Sequence, residues 1–339
     1  MIHLRYRTIN LELKHTFRLS RGATDSRQNL IIELEHDGLV GLGEAAPISR
    51  YDQDCASAAD AVATMVRGIE DPKAFELAAR SVAIDGQPAA EAAVDMALRD
   101  LAGKRFGVPL YELMGIPPQP APPTSFTLGM DRPDAMTRRV EEAEAFPVLK
   151  VKMGSDDDRP MLEAVRRVTR KPIRIDANEG WTLDDAITRL EWLQQMGVEL
   201  VEQPLPADQL DQTRELRHAS PLPLIADESV GTSADIPRLA GVFDGINIKL
   251  MKCGGIGEAL RMIAVARAHG LKVMLGCMIE SSLSITAAAH LAPLVDYLDL
   301  DGHLLIKQDP FVGALFEQGR LSLPEGPGLG VAGRSESGQ

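Results

Sequence analysis

The chain has 339 residues, 45% hydrophobic and 25% charged, which is the profile of a globular protein with two cores or one large barrel plus an appendage. Its net charge of −13 argues against nucleic acid or an anionic membrane as a partner, and no apolar run approaches the length of a membrane span. Three cysteines, Cys55, Cys253 and Cys277, are odd in number and lack metal-site spacing, which fits a reducing cytoplasm, and the opening MIHLRYRTINLELKH carries no apolar signal core.

Residues 1–50 read as antiparallel strands, with NLIIELEHDGLVGLGEAA forming a hairpin turned at Asp37-Gly38. Residues 55–105 are rich in Ala, Leu, Met and Val at helical spacing, so strands followed by helices predict a small α+β domain over 1–118. The proline-rich GIPPQPAPP, 115–123, marks its boundary. Beyond it, short apolar runs alternate with helical stretches: TSFTLG, PVLKVKMG, PIRIDAN, VELVEQP, PLIADES, GINIKLM, LKVMLGC and VDYLDLD are the strands. In the helix TLDDAITRLEWLQQMG, Thr182 is the N-cap, Ile187, Leu190 and Leu193 make one stripe, and Gly197 is the stop. Eight strands, each followed by a helix, predict an α/β fold, a TIM-type barrel over 119–305. A doubly wound open sheet is the competing architecture, but its Gly-rich phosphate loop is missing. Residues 306–339 form a C-terminal segment whose last stretch, GRSESGQ, reads as disordered.

In a barrel, chemistry gathers at the C-terminal ends of the strands. Those ends carry Lys150 and Lys152, then Asp176, Glu202, Asp227 and Lys249, and finally Asp299 with Asp301. A lone strand-end Asp is often a helix N-cap. Three acids ending three consecutive strands are different, because strands about 5 Å apart bring them to one point. Ionised together, they need a cation between them. All-oxygen ligation without His or Cys favours Mg²⁺ over Mn²⁺, and both well over Zn²⁺.

Val148, Lys150 and Lys152 share one face of their strand. On an edge strand both lysines would sit in water; on a covered strand they would lose hydration and repel each other. The metal site resolves this. Lys152 on the second barrel strand and Lys249 on the sixth stand on opposite sides of the ion, so a bound carboxylate substrate would show its α-carbon to a lysine on each face. Lys150 beside Lys152, with the divalent ion, is expected to draw the lysine pKa down from about 10.4. Lys252 competes with Lys249, but it lies past the strand and is expected in solvent. Asp299 and Asp301 share a face and could hold a cation such as a dipeptide's α-ammonium; two carboxylates there would repel a succinyl group.

The ordered set K-x-K, D-x-N, E-Q-P, A-D-E-S and N-I-K-L-x-K-x-G-G resembles the enolase superfamily, in its muconate-lactonizing subgroup. The resemblance covers nearly the whole chain. It implies a (β/α)7β-type modified TIM barrel with an N-terminal capping domain, to which the ending LPEGPGLG returns. A Lys base with Mg²⁺ stabilising an enediolate is that superfamily's known strategy. Within the subgroup, FRLSRGATDS, LGCMIESS and DLDG resemble the dipeptide epimerases. The type activity there interconverts L-Ala-D-Glu and L-Ala-L-Glu in murein peptide recycling.

The resemblance implies one Mg²⁺ per chain on Asp176, Glu202 and Asp227, and Lys152 and Lys249 as the acid–base pair. It implies Lys150, Thr127, Asn178, Cys277, Asp299 and Asp301 in the substrate pocket. Arg21, in a loop that helps choose the substrate, suits an acidic side chain, and Arg18, Arg27 and Arg50 compete for that role. The alternatives are an o-succinylbenzoate synthase, an N-acylamino acid racemase or a cycloisomerase of the same superfamily. An acid-sugar dehydratase would place a histidine opposite the lysine, a hydrolytic Zn²⁺ barrel needs a His-x-His pair, and a non-catalytic metal-binding barrel has no use for opposed lysines. A homo-oligomer is compatible with the sequence.

Overall fold

The structure is a computed structural model and describes residues 2–20, 22–69, 71, 84–116 and 120–334. The expected boundary at 118/119 lies outside those residues. Three antiparallel strands open the chain: β1 (His3–Leu19), β2 (Gly22–His36) and β3 (Leu39–Ala45). The β2–β3 turn is Asp37-Gly38, with φ of 52° and 77°, the two-residue hairpin geometry that matches strand twist. Helices Cys55–Arg67 and Pro88–Phe106 cover one face of this sheet, over Leu30, Ile32 and Leu34. Gly41 and Gly43 let the second helix approach: a Cβ on either would lie 2.0 Å from the carbonyl oxygen of Ala97 or Ala93.

Eight parallel strands follow in chain order: β4 (Ser125–Leu128), β5 (Val148–Lys152), β6 (Ile173–Asp176), β7 (Val198–Glu202), β8 (Leu224–Ala226), β9 (Gly245–Ile248), β10 (Lys272–Gly276) and β11 (Tyr297–Asp299). A parallel bridge between Thr124 and Leu298 joins the last strand to the first, and Leu300 N donates to Thr124 Oγ1 at 2.9 Å. The sheet is therefore a closed barrel, not an open doubly wound sheet. An α-helix separates each successive pair of strands, but β11 is followed by a single 3-10 turn, Gly302–Leu304. This is the (β/α)7β arrangement.

Alternation along β5 sets its two faces. Leu149 and Val151 join the core, while Lys150 and Lys152 line the cavity and are only 1% and 7% exposed. The edge-strand alternative, with both lysines in water, is excluded. Leu200, Ile225 and Met274 make a small apolar cluster of their own. In the helix Leu183–Gln195, Thr182 accepts from Asp185 N as expected. The buried stripe is Ala186, Leu190 and Leu193; Ile187 is one of the exposed large apolar residues, because it sits one step round the helix from the stripe.

The C-terminal segment returns to the cap. Leu110 N donates to Gly328 O at 2.8 Å and Gly328 N to Val108 O at 2.9 Å. Asp100 accepts Leu329 N at 2.8 Å and Leu42 N at 2.9 Å, tying together the cap helix, β3 and this segment. Phe311–Val312 pairs with Ala332–Gly333 and Arg334 N donates to Pro310 O, so Gly333 and Arg334, expected in the disordered tail, are hydrogen-bonded; residues 335–339 lie outside the described residues. Gly328 has φ +69°, and a Cβ there would lie 2.1 Å from Asp100 Oδ1. Gly328→Ala should lower stability by about 1–3 kcal/mol, through strain and the displaced Asp100, leaving metal affinity unchanged. Urea unfolding beside metal titration of the folded protein measures both.

Candidate active site

Strand register brings the reactive residues to one level. Lys152 pairs with Asp176, and Asp176 with Glu202, across β5, β6 and β7. Asp227 is the residue after β8 and Lys249 the residue after β9. Asp299 ends β11, and Asp301 follows two residues later. Lys152, Asp227, Lys249, Asp299 and Asp301 open on a cavity of about 580 Å³, whose roof is formed by the cap residues Phe17, Leu19, Ile48, Arg50 and Tyr51, while Asp176 and Glu202 lie fully buried beneath it.

One ligand atom from each of Asp176, Glu202 and Asp227 lies within 4.8 Å of the other two, and all three residues are buried. Burial, then the charge of Asp176, pushes the Glu202 carboxyl up to about 8. Burial also works against ionisation of Asp176 and Asp227, but lysines overrule it and hold both below the usual carboxylate range. These are Lys150 and Lys152 for Asp176, and Lys249 and Lys252 for Asp227. Three buried oxygen donors, one of which prefers a proton until more positive charge arrives, fit a hard divalent cation.

Lys152 Nζ donates to Asp176 Oδ2 at 2.6 Å, and Lys249 Nζ to Asp227 Oδ2 at 2.8 Å. β5 and β9 are four strands apart in a ring of eight, so the two lysines face each other across the triad. Lys150 Nζ lies 3.0 Å from Asp176 Oδ2, 2.7 Å from Glu202 Oε2 and 2.7 Å from Asp299 Oδ2. Burial works to lower its pKa, but Asp176, Asp299 and Glu202 hold the ammonium well above the ordinary lysine value. Lys150 is thus a fixed positive charge.

Asp299 is committed twice, to Lys150 and to the hydroxyl of Ser125 at 2.7 Å. Asp301 accepts Thr127 N at 2.5 Å, and burial with the charge of Asp299 pushes it up to about 7. Of the two, Asp301 is the one poised to take an arriving cation. Thr127, Asn178 and Cys277 all line the cavity. The Cys277 thiol donates to Asp299 O at 3.2 Å and is raised well above its usual pKa, by burial and then by Glu280, Asp301 and Asp299, so it is no nucleophile. Arg21 lies outside the described residues. Arg27 and Arg50 line the cavity; Arg18 is absent from its lining.

Lys252 departs from expectation. It is only 7% exposed; its Nζ lies 2.6 Å from Asp227 O, 3.3 Å from Asn247 O, and is ion-paired with Asp227 Oδ1. The short helix Leu250–Cys253 starts as soon as β9 ends and folds Lys252 back beneath the strand tip. Asn247, whose Nδ2 donates to Glu202 Oε1 at 2.8 Å, was also missed by the sequence reading. Its position two residues before Lys249, on the same strand face, is the signal that could have found it.

A capped (β/α)7β barrel with an acid triad between opposed lysines defines a class of metal-assisted enzymes acting beside a carboxylate. Residues 1–115 match the mandelate racemase / muconate lactonizing enzyme, N-terminal domain, and residues 134–337 match the enolase C-terminal domain-like family. The chain belongs to this enolase superfamily. It is 40% identical to the L-Ala-D/L-Glu epimerase of Bacteroides thetaiotaomicron, over 95% of this chain and 85% of that protein. Its fold superposes with a TM-score of 0.92 on a dipeptide epimerase from Enterococcus faecalis complexed with Mg and L-Leu-L-Tyr, at 33% identity and with 97% and 98% of the two chains covered. An N-succinyl Arg/Lys racemase from Bacillus cereus also gives a TM-score of 0.92, at 29% identity over 98% and 95% of the two chains.

Replacing Glu202 with Gln should weaken Mg²⁺ binding strongly, since it removes one of three charges and lets an amide nitrogen face the ion. Unchanged affinity in titration calorimetry would defeat the ligand assignment.

Proposed function

We propose that this chain is a Mg²⁺-dependent dipeptide epimerase that inverts the α-carbon of the substrate's C-terminal residue by 1,1-proton transfer. The observation that carries this reading is the placement of Lys152 and Lys249 on opposite sides of one buried acid triad. In this assignment Asp176, Glu202 and Asp227 hold one Mg²⁺, which supplies fixed positive charge beside the substrate carboxylate. Lys152 and Lys249 each serve one face of the α-carbon: as amine, one takes the proton; as ammonium, the other returns a proton to the opposite face. Lys150 offers a charge-assisted hydrogen bond to the carboxylate as negative charge spreads onto it. Asp301, backed by Asp299, receives the α-ammonium, and Thr127, Asn178 and Cys277 bound the remaining space.

The identity of the side chains rests on the cap. Among the described cations lining the cavity, Arg27 alone has no carboxylate within ion-pair distance; Arg50 is held by Glu179 at 2.6 Å and the lysines by the barrel acids. An unpaired guanidinium supports an acidic residue in the dipeptide, as in L-Ala-L-Glu. Three cysteines without disulfide partners support a reducing, cytoplasmic setting.

In D₂O, Lys152→Ala should abolish epimerisation yet leave slow α-proton exchange from the isomer facing Lys249, with Lys249→Ala showing the reverse preference. A general acid–base group contributes roughly 10²–10⁴-fold, so the loss is easy to follow by NMR. Full activity in either variant rules out the two-base mechanism.

The free amine is tested separately. Acetylating the N-terminus of an accepted dipeptide removes the cation and leaves Asp301 facing an amide, a change worth about tenfold or more in kcat/KM. Wild type should prefer L-Ala-L-Glu over its N-acetyl form and over N-succinyl-glutamate, and Asp301→Asn should narrow that gap. A wild-type preference for the acylated compounds would transfer the assignment to an N-acylamino acid racemase.

A further inference from the structure

Outside the triad, a second pair of carboxyl groups is buried where the cap meets the barrel. Glu44, near the end of β3, is 0% exposed, and Glu280, in the loop between β10 and the helix Ser282–Ala289, is 2% exposed. Glu44 Oε1 accepts Asn29 Nδ2 at 2.7 Å and Ser281 N at 3.0 Å; its Oε2 accepts the Ser281 hydroxyl at 2.5 Å and Ser284 N at 3.3 Å. The Ser281 hydroxyl itself accepts Leu283 N, so its proton is available to Glu44. Every neighbour of Glu44 is therefore a donor, which favours its carboxylate form, although burial outweighs these bonds and raises it above the usual carboxyl value.

Glu280 differs. Its Oε1 accepts Met278 N at 2.6 Å, while its Oε2 contacts the Ser284 hydroxyl, a group that can accept a proton as readily as give one. Ser284 thus touches both carboxyls. The charges facing Glu280 are Glu44 from the cap and, at longer range, Lys249 from the tip of β9; Asp309 is engaged with Ser282 on the same helix turn. Burial first, then the charge of Glu44, pushes Glu280 up to about 7, so it holds the proton that Glu44 has no room for.

The residues between these anchors line the substrate cavity. Met278 is bound through its N–H to Glu280, and Ile279 O accepts the other Asn29 Nδ2 bond at 3.0 Å. We propose that Glu44 and Glu280 hold one proton between them, carried by Glu280, and act as a positioning pair that holds the Met278–Ile279 wall of the cavity against the cap, so that substrate affinity falls when that proton is lost. The proposal takes its assay substrate from the dipeptide reading above. Because Glu280 is raised above its unfolded value of about 4.3, the stability it contributes is complete below that pH and is lost as pH rises through about 7. Above that, two buried carboxylates bridged by one serine repel, and the wall between them is what gives way.

The test measures kcat and KM of the full enzyme from pH 6 to 9, with an infrared titration of buried carboxyl groups in the substrate-free protein. Wild type should show KM rising several-fold, roughly a pKa unit's worth, through an ionisation near 7 that kcat does not share. Glu280→Gln, which copies the neutral acid, should remove that rise, whatever titration Asp301 and the substrate amine add in both proteins, and lose one protonated-carboxyl band in the wild-type-minus-variant spectrum. Glu44→Gln should raise KM at every pH, since it turns an amide N–H₂ toward donors. A KM profile that Glu280→Gln leaves unchanged, or the absence of its infrared band at pH 6, overturns the proposal. If no dipeptide turns over, the functional reading fails, and the infrared band by itself decides whether the pair holds a proton.

Discussion

The constraint that organises this molecule is the cost of burying like charges. Asp176, Glu202 and Asp227 are all withdrawn from water within 4.8 Å of one another, and in a low-dielectric interior such a group cannot remain ionised alone. The surroundings answer with cations placed on alternate sides: Lys150 and Lys152 on Asp176, Lys249 and Lys252 on Asp227. Glu202, with Lys150 as its nearest cation and the Asn247 amide on its other oxygen, still favours a proton. That residual imbalance is what a divalent ion at this centre would relieve. It also places two lysines in the opposed positions that inversion of a carbon centre requires.

The same constraint recurs at two other levels of the barrel mouth. Asp299 is relieved by Lys150 and Ser125, while Asp301 accepts Thr127 N and is pushed up by burial and the charge of Asp299. At the seam with the cap, Glu44 is relieved by four donors and Glu280 by a proton. Lys150 therefore links two functions: it stabilises the triad and, through Asp299, sets the charge that Asp301 experiences. A change at Lys150 would alter the charge felt by Asp176, Glu202, Asp299 and Asp301 together, so its effects cannot be expected to add to those of its neighbours.

The barrel supplies the chemistry and the cap supplies the enclosure. β1 runs along the mouth: Lys14 N donates to Leu305 O, and Lys307 N to Glu12 O, both at 2.8 Å. Ser20 reaches Asn178 O at 2.9 Å, and Phe17 sits beneath Lys152, whose Nζ is 5.9 Å from the ring centroid. The C-terminal segment is tied to the cap in turn through Asp100, which accepts both Leu42 N and Leu329 N. Cap residues thus line the cavity without contributing to the triad.

By itself the sequence determined the residues at the strand ends and their order, because a period of two and a regular strand–helix alternation leave little freedom in which side chains reach the barrel mouth. From that order alone came the acid triad, the opposed lysines and the D-x-D pair. Ile187 shows the limit of the same reasoning on helices, where an apolar residue one step off the stripe looks buried in sequence and is exposed in space. What only the tertiary structure decided was which charge meets which. Lys252 looked like a solvent residue until the turn after β9 folded it onto Asp227. Asp299 looked like half of a cation clamp until closure of the barrel, strand eight against strand one, brought Lys150 and Ser125 to it. Glu44 and Glu280, 236 positions apart in sequence numbering, meet only because the cap folds back over β10. Pairing energies fall off within a few ångströms, and distances that short between remote residues are set by barrel closure and domain docking, which no local pattern in the chain encodes.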